Sequence, residues 1–76
     1  MTPDHKYYPQ TIGGKLGYLT EECGEVLAAV GKTLRWGLDS RNPEPGASSE
    51  TNREWILREL KDLESAIAIV REAIKP

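Results

Sequence analysis

The sequence predicts an all-α fold: a two-helix hairpin that subunit association completes to a four-helix bundle. Three observations predict it. Apolar residues recur at three- and four-residue steps along two long stretches, which is the spacing of one helix face. The apolar residues are mainly Leu, Ile, Val and Ala, with no Phe, a composition that suits helices more than sheets. The two stretches also echo one another. Aligning Glu22 on Glu59 places Leu19 on Ile56, Glu25 on Asp62, Val26 on Leu63, Ala29 on Ala66 and Val30 on Ile67.

With 76 residues there is room for one domain, read as an arm over 1–14, a helix over 15–37, a loop over 38–51 and a helix over 52–74. The arm begins with the polar stretch MTPDHKYYPQ, which has two prolines, and ends in TIGG, a weak helix start because each glycine costs roughly 1 kcal/mol relative to alanine. From Lys15 the helical pattern is carried by Leu16, Leu19, Cys23, Val26, Leu27, Val30 and Leu34, with Cys23 expected in the core. Gly37 is placed to end the helix, with Lys32 and Arg35 suited to its last turns. Residues 38–51 hold two prolines, a glycine and a Ser-Ser pair, which exclude regular structure. The loop is long for a helix–helix connection, and both a lid over a site and a disordered connection fit that length. Thr51-Asn52-Arg53-Glu54 has the form of a capping box. After it, Ile56, Leu60, Leu63, Ile67, Val70 and Ile74 form a seam, and Pro76 stops the helix.

Composition excludes several function classes. The net charge is −2 and the ten Lys and Arg are scattered, so no nucleic acid polymer is expected as a partner. A single cysteine excludes an internal disulfide framework and fits a reducing cytoplasm. The polar N-terminal stretch lacks the apolar core of a signal peptide, and no apolar run is of membrane-spanning length, so no membrane is expected.

The chemistry lies in four acids. Glu22 with Glu25, and Glu59 with Asp62, are carboxylate pairs three residues apart, so each pair projects from one face of its helix. Both pairs fall to the same side of the Leu19/Val26/Val30 and Ile56/Leu63/Ile67 stripes, on second faces that carry Tyr18, Ala29, Trp36, Ala66, Ile69 and Ala73. Arg58, Lys61, Glu64 and Arg71 are read onto the solvated side. A hairpin burying one seam per helix leaves the second faces, with Ala66, Ile69 and Trp36, for another subunit to cover, in a dimer or a larger assembly. Side by side, the two acid pairs meet across the groove. Four close carboxylates repel, and hard divalent cations relieve that repulsion. An oxygen-only ligand set favours Mg²⁺, or Mn²⁺, over Zn²⁺. Mg²⁺ shares its coordination with phosphates, so a phosphate-bearing substrate follows.

The run Leu19-Thr20-Glu21-Glu22-Cys23-Gly24-Glu25-Val26, followed by Glu59-Leu60-Lys61-Asp62-Leu63, resembles the EExxE…ExxD pattern of the MazG-like, all-α nucleoside triphosphate pyrophosphohydrolases. The resemblance spans roughly residues 15–74. It implies Mg²⁺-dependent cleavage of a nucleoside triphosphate between its α- and β-phosphates, releasing a monophosphate and pyrophosphate. It also implies metal ligation by Glu22, Glu25, Glu59 and Asp62, and assembly as a dimer or tetramer. Glu21, displaced toward solvent, is a candidate to orient or deprotonate the attacking water and, equally, a plain helix-surface acid. Lys32, on the acid side, is a candidate phosphate contact, and a cation at a helix C-terminus is its plainer reading. Trp36 is a candidate stacking surface for a base, and an interface aromatic is its plainer reading. The competing reading of the whole chain is a catalytically inactive helical module for dimerisation or partner binding.

Overall fold

A computed structural model describes residues 9–41 and 49–76. Among them the chain forms two helices that pack against each other and no strand: α1, Ile12–Trp36, and α2, Asn52–Ile74. Residues 1–8 of the expected arm and 42–48 of the expected loop lie outside the described residues, and the choice between lid and disordered connection lies there with them.

α1 begins three residues before its expected start, because Thr11 caps it. The Thr11 hydroxyl accepts a hydrogen bond from the Gly14 amide at 2.9 Å. The two glycines that weaken the start are tolerated for that reason, and Gly14 is required for another: a Cβ there would lie 2.9 Å from both Pro9 Cβ and Thr11 Oγ1. α1 ends where expected. Gly37 has φ 93° and ψ 162°, a conformation open essentially to glycine alone, and its amide donates to the Thr33 carbonyl at 2.7 Å. α2 opens with the expected capping box, in which Thr51 and Glu54 each satisfy the other's backbone amide.

The turn between the helices is tied at its base. The Asn52 side chain donates to the Gly37 carbonyl at 2.9 Å, and the amides of Asn52 and Arg53 donate to Ser40 and Leu38. Arg41 pairs with Thr51 in one isolated antiparallel bridge. Asn52, 5 % exposed, thus joins the end of α1 to the first residue of α2 and fixes their alignment.

Of the expected seams, only Val70 is buried in the hairpin contact. Its buried residues are Tyr18, Glu22 and Ala29 from α1 and Asn52, Glu59, Asp62, Ala66 and Val70 from α2. Leu19, Val26, Val30, Ile56, Leu63 and Ile67 are only half-buried. Ala66, expected on an uncovered face, is fully buried, whereas Cys23, expected in the core, is exposed. The reason is steric. Small residues at Ala29 and Ala66 let the helix axes approach along the acid-bearing faces. The bulkier aliphatic seams, about 80° round each helix at 100° per residue, sit on the flank of that contact. The outer edge of the α1 apolar arc, Leu16, Leu27 and Leu34, is 44 %, 71 % and 83 % exposed.

Candidate functional site

The acids occupy the middle of the helix–helix contact. Glu22, Glu59 and Asp62 are 4 %, 3 % and 2 % exposed, and Asp62 is the largest fully buried side chain among the described residues. One carboxylate oxygen each from Glu22, Glu25 and Glu59 lie within 4.8 Å of one another. Glu25 is the exposed member, so the group opens to solvent on its side. Asp62 stands outside that trio but close enough to Glu22 for its charge to act on it. Glu22 Oε2, Glu59 Oε2 and Asp62 Oδ2 are buried and have no hydrogen-bond partner among the described residues.

The electrostatics follow from burial and crowding. Burial, then the charges of Asp62 and Glu59, raise the Glu22 carboxyl above its ordinary 4.5; a hydrogen bond with Glu25 works the other way. Burial, then the neighbouring Glu25 carboxylate, raise Glu59, and the Arg58 guanidinium partly offsets this. Such groups accept a proton or a cation readily, because either removes negative charge from a poorly solvated site.

Arg58 corrects the sequence reading, which put it on the solvated side. It is a third exposed and bonds three ways: Nη1 to Glu59 Oε1 at 2.7 Å, Nη2 to Glu50 Oε1 at 2.6 Å, and Nε to Glu50 Oε2 at 3.3 Å. Hydrogen bonding to Glu50 is the main cause that raises its pKa. No helical periodicity signals this contact. Glu59 is its chain neighbour, and Glu50 lies before the helix begins. Asn52 escaped the sequence reading in the same way, since its partner is a backbone carbonyl supplied by the turn.

The other candidates stand apart from the cluster. Glu21 is exposed, as expected, and its charge reaches Glu22. Lys32 is exposed and, with Ala28, Gly31 and Arg35, lines a surface depression of about 290 Å³. It lies roughly 10 Å along the axis from Glu25, at 1.5 Å per residue. Trp36 is 62 % exposed, roughly 16 Å along the axis from Glu25 by the same rise. The hairpin brings neither onto the acids.

Fold and site together define an antiparallel helical hairpin with a buried, oxygen-only acidic cluster open on one side. No protein-family model, curated protein or solved structure matches the chain.

Proposed function

We propose that the chain is a Mg²⁺-dependent nucleoside triphosphate pyrophosphohydrolase that releases nucleoside monophosphate and pyrophosphate. The observation that carries the proposal is the set of three unpartnered, buried carboxylate oxygens on Glu22, Glu59 and Asp62, beside the exposed Glu25. Unpaired buried carboxylates are costly, and a bound cation offsets that cost. The donor set is all oxygen, which suits Mg²⁺ or Mn²⁺. The three oxygens of Glu22, Glu25 and Glu59 lie within 4.8 Å of one another, close enough for one cation to be shared among them once the side chains turn toward it. The nucleotide substrate rests on the resemblance of the two acid motifs to the MazG-like pattern.

Glu22, Glu25, Glu59 and Asp62 hold the cation, with Glu25 on the side from which a substrate enters. Bound there, Mg²⁺ supplies positive charge to the phosphate oxygens and to the departing pyrophosphate. Glu21 is exposed one residue from Glu22, and in this reading it accepts a proton from the attacking water. Lys32 and Trp36 lie farther along α1 from the acids, and a substrate extended along that helix would be needed to bring them into contact with it.

The reading includes a second copy of the chain. The aliphatic seams of both helices are rotated about 80° in the same sense from the acid faces. In an antiparallel pair, equal rotations bring both seams to one broad side. That side is then a continuous apolar surface on a body 44 Å long and 22 Å wide. It is large enough for the roughly 800 Å² per partner of a stable interface. Two such hairpins, joined seam to seam, form a four-helix bundle. The same surface favours the second reading, an inactive dimerisation module that retains the fold.

Incubation with each ribo- and deoxyribonucleoside triphosphate, with and without Mg²⁺, tests the proposal. Monophosphate and pyrophosphate, formed only with metal, are the expected products. Diphosphate and phosphate would mean a different hydrolase. Absence of turnover with every nucleotide would favour the module. A melting temperature that does not respond to Mg²⁺ or Mn²⁺ at matched ionic strength would remove the metal site as well.

A further inference from the structure

We propose that Arg58, clamped by Glu50, is a positioning residue that fixes the Glu59 carboxylate so that one of its oxygens is held for a divalent cation at the acidic cluster. The inference rests on the cation reading of that cluster and extends it to two residues outside it. Arg58 Nη1 holds Glu59 Oε1 at 2.7 Å, while Glu59 Oε2 is buried with no hydrogen-bond partner among the described residues. The two oxygens of one carboxylate therefore have different roles. One is committed to a guanidinium and the other is left for a ligand. Arg58 is held in turn, through Nη2 and Nε, by both oxygens of Glu50 at 2.6 and 3.3 Å. Two bonds to one carboxylate fix the plane of the guanidinium fork, which a single bond cannot do.

A cation-binding site gains nothing from a bare positive charge beside one of its ligands. Glu50 resolves that difficulty. Glu50 and Arg58 together are a neutral pair, so the Glu59 charge remains available to a cation while its orientation is fixed. Ligating carboxylates elsewhere are held by such outer hydrogen bonds, and their loss costs roughly 10–100-fold in metal affinity. The arrangement also ties the segment entering α2 to the site, because Glu50 lies two residues before that helix begins.

Two charge-conserving variants separate orientation from electrostatics. Arg58→Lys keeps the charge and loses the fork. The double variant Glu50→Gln/Arg58→Gln removes one charge of each sign and abolishes the clamp. Mn²⁺ binding to the full-length chain is read by the paramagnetic resonance of free Mn²⁺, with helicity and melting temperature measured in EDTA. The expected result is a dissociation constant raised about tenfold in Arg58→Lys and roughly 10–100-fold in the double variant, with helicity retained. Wild-type affinity in either folded variant overturns the proposal. A pair with a purely structural role lowers the metal-free melting temperature and leaves the Mn²⁺ constant unchanged. If the double variant does not fold, Arg58→Lys decides. If the wild-type chain itself binds no Mn²⁺, the cation reading falls and this inference falls with it.

Discussion

Glu22 shows most directly what the buried acids do to the metal-free protein. It is 4 % exposed, its carboxyl is raised by burial and by Asp62 and Glu59, and Glu59 is raised as well. A carboxyl whose folded pKa exceeds its unfolded value contributes stability that is fully present below about 4.5 and is lost as pH rises through the folded value. In EDTA the melting temperature should therefore rise as pH falls from neutral toward the ordinary carboxylate range. Glu54 acts with the opposite sign. Hydrogen bonds from Thr51 lower its pKa, so its contribution is present above 4.5 and lost below. Thermal scans from pH 7.5 to about 4.5 check this, and a melting temperature that falls steadily over that range would contradict the burial argument. On the proposed cation reading, saturating Mg²⁺ should reverse the slope, since protons and cation would compete for the same oxygens. Glu22→Gln should stabilise the metal-free chain at pH 7, because an amide removes a buried charge and can donate to neighbouring carboxylates. A gain of about 1 kcal/mol would move the midpoint by roughly 4–8 °C in a domain of this size. The same variant should lose both the Mg²⁺ response and nucleotide turnover.

The two helices are held in register by their facing ends, and the acids meet only if that register holds. Gly37 turns the chain out of α1 at φ 93°, and Asn52 bonds the carbonyl of Gly37 from the first position of α2. Gly37→Ala should cost about 1–3 kcal/mol, the strain of a side chain in a glycine-only conformation. Thr51→Ala, which breaks the capping box, should cost about 1 kcal/mol. Denaturant unfolding measures both. The two should differ in a second respect. Thr51→Ala weakens one helix end, whereas Gly37→Ala displaces the turn that aligns the acid pairs. Mn²⁺ affinity should therefore fall further in Gly37→Ala than in Thr51→Ala.

At the scale of the whole molecule, the hairpin leaves much of its apolar surface uncovered. Leu27 and Leu34 are 71 % and 83 % exposed, and Leu57 and Ile74 are 61 % and 62 % exposed. In α1, Leu16, Cys23, Leu27 and Leu34 fall within roughly 40° of one another at 100° per residue, one stripe along the helix. Apolar patches of this extent mark interaction surfaces. Sedimentation of the wild-type chain should give at least a dimer. Leu27→Lys and Leu34→Glu, on the exposed stripe and far from the acid face, should shift it toward monomer and lower the melting temperature in a concentration-dependent way. A monomeric wild type would remove the second copy from the proposed assembly.

Much of this architecture could be read from the chain alone. The capping box at Thr51, the stop at Gly37 and the extent of α2 follow from local chemistry: each depends on residues within a few positions of one another. The acid pairs on matching faces follow from helical periodicity, which is also local. Periodicity does not say which of two adjoining apolar faces a helix turns toward its neighbour. The seams of Leu, Ile and Val looked like the natural contact, yet the helices meet along Ala29, Ala66 and the acids, because small side chains admit the closest approach. That choice buries Glu22, Glu59 and Asp62 and exposes Cys23. It also leaves room at the edge of the contact for the Glu50–Arg58–Glu59 chain. Local chemistry along the chain thus set the two helices, the end of α1, both ends of α2 and the positions of the four acids, but missed the Thr11 cap that starts α1 three residues early. Burial of the acids, and the groups that face them, came from packing, because that depends on how two surfaces fit and not on the pattern of either one.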